Sequence, residues 1–156
     1  FRDEIYSEYK ANRKEPPDDL VPQFPYFGPI ADALNIKNMS KPGFEADDVI
    51  GTVANRAVSD GFDVVIVTGD KDFMQLVGDH VKIFDTMKER WIGEAEVKKK
   101  FGVKPEKVID VMSLIGDSSD NIPGVRGVED KSASGLIEQF GNNIFAESAN
   151  GYLGAH

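Results

Sequence analysis

Seven carboxylates stand in three short segments of this 156-residue chain: Glu45, Asp47 and Asp48; Asp70 and Asp72; Asp117 and Asp120. Carboxylates one to three residues apart can share a divalent cation. The chain has no cysteine, and neither of its histidines, His80 and His156, lies beside these acids, so the donor set is all oxygen. That suits Mg²⁺ or Mn²⁺ rather than zinc. Two such ions roughly 3.5 to 4 Å apart activate water and stabilise the leaving oxygen when a phosphodiester is hydrolysed. Asp117 and Asp120 run on into the glycine-rich turn Gly124-Val125-Arg126-Gly127-Val128 and then to Lys131 at the start of a helix. Backbone N–H groups at such a turn present themselves to phosphate. One stretch thus offers both halves of a phosphodiester site.

Each cluster also has a structural reading. Glu45, Asp47 and Asp48 begin an apolar helical stripe at Val49, Ile50, Val53, Ala54 and Ala57, where acids cap free N–H groups and complement the helix dipole. That role uses one carboxylate or two, and three within four residues repel one another unless a cation sits among them. Asp70 and Asp72 follow the β-branched run Asp63 to Thr68, which reads as a parallel strand buried on both faces. Ligands bind beyond the carboxyl ends of such strands. One of the two aspartates can cap a helix over Phe73 to Val77, and the other is left without a structural use.

The elements around these residues alternate. Residues 1–19 interleave basic and aromatic side chains, and on a helix ending before Pro16-Pro17 the residues Tyr6, Tyr9, Lys10 and Arg13 share a face. Such a face can grip a phosphate backbone and stack a base, or be a solvated surface. Val21 to Pro29 is too rich in proline for a regular helix, which is expected to resume at Pro29 and end near Asn35. Residues 35–43 form a loop or a short strand. Val81 to Asp85 is the next strand, Thr86 to Gly93 a polar connection with Trp91 and Ile92 against the sheet, and Glu94 to Phe101 a helix stopped by Gly102. Pro105 opens a further helix closed by Gly116, and Ala133, Leu136, Ile137 and Phe140 mark the last one. The expectation is an α/β body over residues 1–115, a helical module over 116–141, and a poorly ordered tail over 142–156.

Composition narrows the class. With 40% hydrophobic residues the chain can bury a core, and no apolar run approaches the roughly 18 residues of a membrane span. Lack of cysteine and of signal-peptide character at Phe1-Arg2-Asp3-Glu4 fits a soluble cytoplasmic protein. A net charge of −9 argues against wrapping nucleic acid over the whole surface, but leaves room for local basic patches.

Four motifs, FRDEIYSEYKANR, GFEADDVIG, IVTGDKDFMQLV and GDSSDNIPGVRG, occur in order over residues 1 to about 141. In them the chain resembles the 5' nuclease family, the 5'-to-3' exonuclease domain of bacterial DNA polymerase I and its flap endonuclease relatives. The resemblance implies a twisted, mostly parallel sheet with flanking helices of PIN/resolvase-like type, a helical arch over residues 1–19 and a helix-three-turn-helix module that binds duplex DNA. It implies metal roles for the seven acids, with Mg²⁺ or Mn²⁺ as a pair. It places the arch lysine on Lys10 and its basic partner on Arg13, with Tyr6 and Tyr9 in the same motif. Gly124, Val125, Arg126, Gly127 and Val128 match the turn that holds the duplex backbone, with K⁺ on its carbonyls, and Lys131 would contact a phosphate.

The partner so implied is duplex DNA with a 5' flap or nick, at the bacterial nucleoid, and a polymerase domain can follow in the full-length protein. Two departures accompany this. The family's first metal-binding Asp, at the end of its first strand, and a second Asp before the arch would both lie upstream of Phe1. Glu129 stands where the family turn has its second glycine, and a charge there opposes a phosphate approaching the helix. The alternative is a DNA-binding fragment or degenerate relative that does not cut.

Overall fold

The computed structural model describes residues 2–141; the predicted tail over 142–156 lies outside them. The β-branched run forms β1 (Val64–Val67), which pairs in parallel with β2 (Val81–Asp85), Ile66 opposite Ile83. The sheet is mixed rather than mostly parallel, because β3 (Arg90–Ile92) returns antiparallel to β2. The sequence suggested a polar connection there with Trp91 and Ile92 against the sheet, and no strand. A three-residue strand is too short to show alternation, and it is held by Ile92 in the core and by Trp91, whose ring lies 4.9 Å from that of Phe84. Asp85 is buried at the turn between them, where its Oδ1 accepts the N–H groups of Met87 and Lys88.

β1 is not buried on both faces. Ile66 faces the core while Val65 and Val67 are exposed, because β1 is the edge of the sheet among the described residues. The same side leaves Ile50 and Val53 exposed on α3 (Ala46–Ser59), so the face that helix buries is carried by Ala54, with Ala57 and Val58 half-buried.

Two helical expectations are corrected near the start of the chain. Only Arg2–Ile5 is helical (α1), followed by turns through Asn12 and irregular chain to Pro17, so Tyr6, Tyr9, Lys10 and Arg13 do not line a helix face. Lys10 has a left-handed backbone, φ 56°, which no α-helix accommodates. Further on, a 3-10 turn, Val21–Gln23, leads directly into α2 (Phe24–Ala33), with Pro29 inside it. Pro25 in the first turn fits a helix start, and the N–H that Pro29 lacks would have met the carbonyl of Pro25, so one missing bond is tolerated in an exposed helix. Residues 35–43 are a loop.

The second half follows its punctuation closely. Gly93 precedes α4 (Glu94–Phe101), where Glu96 Oε2 accepts the Gly93 N–H at 2.8 Å and Gly102, φ 75°, closes the helix. Pro105 opens a 3-10 turn into α5 (Val108–Ile115). α6 (Asp130–Phe140) packs Ala133 and Ile137 inward against α5. Val97, Val108, Val111 and Ile83 are the largest fully buried aliphatic side chains, and they join sheet, α4 and α5 into one core. Each such side chain contributes about 1.5–3 kcal/mol by leaving water. Between α5 and α6 lies a two-residue hairpin, β4 (Gly116–Asp117) against β5 (Ile122–Pro123), too short to show in the sequence pattern.

Candidate active site

Segments far apart in sequence converge beyond the end of β1. Lys10 Nζ stands 2.7 Å from both carboxylate oxygens of Glu45, and 4.0 Å from Asp120 Oδ2. The Tyr9 hydroxyl donates to Asp120 Oδ2 at 3.1 Å and reaches Glu45 Oε2 at 3.3 Å. Arg13 pairs with Asp120. The backbones are stitched as well: the Lys10 N–H donates to the Asp120 carbonyl at 2.9 Å, Asn12 Nδ2 to the Ser118 carbonyl at 2.7 Å, and Asn121 Nδ2 to the Glu8 carbonyl at 2.7 Å. Lys10 and Asn121 both have positive φ. A lysine held there costs on the order of 1–2 kcal/mol, which these contacts must offset, and such strain gathers at working sites.

Three further pairings set the roles of the acids. Arg2 grips both oxygens of Asp48 at 2.8 and 2.9 Å, and Asp48 Oδ2 also accepts the Glu45 N–H at 2.9 Å, capping α3. Asp48 therefore does the structural work foreseen for that cluster, and the Arg2 guanidinium holds its carboxyl below the usual range. Asp70 caps the 3-10 helix Lys71–Leu76 by accepting the Asp72 N–H at 2.9 Å. Lys71 Nζ lies 2.9 Å from Asp117 Oδ2; burial raises the Asp117 pKa, but this ammonium and the Ser119 N–H bring it below the ordinary value.

Asp72 is different. Its Oδ1 is buried with no hydrogen-bond partner among the described residues. Burial, then the charge on Asp70, with Asp117 and Asp120 beyond, pushes its pKa up to about 6 despite Lys71. Asp47 is raised too, by burial and then by Asp70 and Glu45. The three acidic segments thus feel one another's charge. Burial pushes Tyr9 up to about 12, so its hydroxyl stays a donor, and Lys10 is held charged against the cost of burial by Glu45.

Among the described residues no three carboxylate side chains stand close enough together to enclose one metal ion. The donor chemistry nevertheless suits a hard cation: every acid offers oxygen, and Asp72 carries an orphaned oxygen amid like charge. Arg2, Lys71, Asn12 and Asn121 were not legible as site residues, since only folding gives them partners. Lys71 lay in view between Asp70 and Asp72, and its position was the one signal available.

The glycine-rich turn lies beside this centre. Gly124 is required for packing: a Cβ there would stand 2.2 Å from the Ile115 carbonyl oxygen. Gly127, φ 83°, has open space around it and is needed for its backbone alone. The Val125 N–H is committed to the Leu114 carbonyl at 2.7 Å, and the Val128 N–H to the Val125 carbonyl at 3.0 Å. Val128 is half-buried against the core, while Val125, Arg126 and Lys131 are exposed. Glu129, with extended backbone, precedes α6, and its N–H donates to Ser132 Oγ at 2.8 Å.

The sheet edge of this α/β body gathers carboxylates and cations, and a helical unit continues it. The chain belongs to the 5'-3' exonuclease family: residues 1–102 match its N-terminal resolvase-like domain and residues 103–149 its C-terminal SAM fold. It is 46% identical over 142 residues, 91% of the chain, to the DNA polymerase I of Rhizobium leguminosarum, of which it spans 14%. It is 39% identical to the 5'-3' exonuclease of Aquifex aeolicus, covering 90% of this chain and 49% of that protein. The chain therefore spans half or less of these relatives' length.

Solved structures agree. The T5 5'-exonuclease with bound zinc superposes with a TM-score of 0.77 at 26% identity, covering 94% of this chain and 59% of the other. The bacteriophage T5 flap endonuclease in complex with DNA and metal ions gives 0.75 at 25% identity, covering 90% and 56%. No helix among the described residues is long and apolar enough to cross a membrane.

Proposed function

We propose that this chain carries the cutting centre of a metal-dependent, structure-specific 5' nuclease that hydrolyses DNA phosphodiester bonds at flaps, nicks or 5' ends in replication and repair. The observation that carries the reading is the docking of residues 8–13 on the Ser118–Asn121 loop, which sets the Lys10 ammonium and Tyr9 hydroxyl against Glu45 and Asp120. Cations and carboxylates facing one another across a cleft can hold a polyanion on one side and its counterions on the other.

Glu45, Asp47, Asp70, Asp72, Asp117 and Asp120 would hold the divalent ions, Mg²⁺ or Mn²⁺ and two in number, with Asp48 acting mainly through the cap of α3. When bound, these ions supply the water nucleophile and charge stabilisation of the leaving oxygen. Lys10 and Arg13 meet the scissile phosphate, and Tyr6 and Tyr9 stack or orient the strand end. Residues 116–141 form the helix-three-turn-helix grip on duplex DNA; exposed carbonyls of the Gly124–Val128 turn take K⁺, and Arg126 and Lys131 contact phosphates. Residues 1–115 form the nuclease body. The relatives named DNA polymerase I support a polymerase domain in the same protein and a cytoplasmic, nucleoid-bound setting.

The test is a labelled 5'-flap duplex with Mg²⁺, offered to the chain and to its Asp70→Asn and Asp117→Asn variants. Short 5' products from the parent alone support the proposal. DNA that is retarded but uncut by the parent would favour the non-catalytic reading, for which the spacing of the carboxylates is the supporting observation.

A further inference from the structure

Lys10 and Arg13 meet the carboxylates at Glu45 and Asp120, while Lys71 meets them at Asp117. Between the end of α4, the β4 hairpin and the start of α6 is a cleft of about 290 Å³ whose polar lining is Lys71, Lys100, Asp117, Ser118 and Asp130, with Phe101 and Ile115 as its apolar part. Lys71 is committed to Asp117 at 2.9 Å. Lys100 has no carboxylate within ion-pairing distance among the described residues, and its ammonium rests only over the Phe101 ring, 5.5 Å from the centroid. Burial lowers its pKa, and the nearby charges of Lys71, Lys88 and Arg90 add to that, although each of these cations pairs with a carboxylate. Asp130, in the first turn of α6, has its charge offset by that helix's N-terminus.

With Asp117 taken by Lys71 and Asp130 by the helix end, the unpaired Lys100 ammonium is the cleft group left to meet an anion. The cleft is lined both by Asp117 of the carboxylate cluster and by Asp130 in the first turn of α6, so a strand passing between the cutting centre and the helical unit would meet it. Resting on the nuclease reading above, we infer that Lys100, with Lys71 at its back, binds one backbone phosphodiester of the DNA strand that runs from the carboxylate cluster to α6. The site takes a diester in transit; the Ser118 hydroxyl, in the same lining, can donate to it.

The test measures binding of a 5'-flap duplex, with Ca²⁺ as the divalent ion, across a range of salt for the parent, Lys100→Ala and Lys100→Arg. Lys100→Ala is expected to weaken binding about 5- to 10-fold and to reduce the slope of log Kd against log salt by about 0.9, the signature of one lost phosphate contact. Lys100→Arg should keep both. A single neutral methylphosphonate at the matching linkage should cost the parent the same factor and cost Lys100→Ala nothing further.

If Lys100→Ala matches the parent in affinity and salt slope while the parent binds and cuts flaps, the phosphate site is wrong and the nuclease reading stands. If the effect of Lys100→Ala disappears when the substrate carries a 5'-hydroxyl instead of a 5'-phosphate, the site holds a terminal monoester and the backbone assignment is overturned. A parent that neither binds nor cuts flap DNA overturns both.

Discussion

Asp70 Oδ1 accepts the backbone N–H of Asp72 at 2.9 Å, while the Oδ1 of Asp72 itself is buried without a partner among the described residues. One aspartate of the pair thus has a structural use and the other does not. A buried carboxylate oxygen without a donor is costly, and here it also faces the charges of Asp70, Asp117 and Asp120.

This asymmetry has a pH consequence. Folded, Asp72 keeps its proton up to about pH 6, whereas an unfolded aspartate releases it near about 4. The folded state binds more protons between those values, so the stability due to neutral Asp72 is present below about pH 4 and is lost as pH rises through about 6. Without divalent ions, Asp72→Asn should melt about 2–4 °C above the parent at pH 7.5 and level with it at pH 4. Equal melting at both pH values would show that the Asp72 charge is not strained.

Divalent ions should act at the same place. Mg²⁺ or Mn²⁺ at about one hundred times its Kd should stabilise the parent by about 2.7 kcal/mol through linkage. Calorimetry should find most of that gain missing from Asp72→Asn and from Asp117→Asn. A gain that survives both substitutions would move the ions elsewhere.

Lys10 bridges Glu45 and Asp120 from a left-handed backbone position. In single-turnover cleavage of a flap duplex, Lys10→Met should lose about 10²- to 10³-fold in rate, the usual cost of removing one preorganised charge stabiliser. Affinity for the uncut duplex should fall far less than rate. Parallel losses in both would make Lys10 a binding residue only.

The glycines of the turn separate packing from backbone strain. Gly124→Ala should destabilise strongly, by about 3 kcal/mol or more, because the new methyl overlaps the Ile115 carbonyl and close-packed backbone yields little. Gly127→Ala meets open space and should cost only about 1–2 kcal/mol for its positive φ. Chemical denaturation of the two variants checks the order.

The sequence by itself determined the family's motifs and most of the punctuation. Acids spaced for shared cations, the β-branched run that became β1, Gly93 and Gly102 around α4, and Pro105 before α5 are signals carried by neighbours along the chain. Capping, periodicity and backbone freedom act within a few residues, so they can be read without a fold. The same local reasoning failed where packing overrode it. Periodicity alone could not show that Val65 and Val67 would be exposed, or that residues 6–13 would leave the helix for turns pinned to Ser118–Asn121.

Tertiary structure alone decided which acid does which work. Asp48 is taken by Arg2 and the α3 cap, Asp117 by Lys71, and Asp72 is left with its orphaned oxygen. These partners lie far apart in sequence or on opposite sides of a turn. Which charge meets which, and which is stripped of water, depends on burial and distance that only the assembled fold supplies.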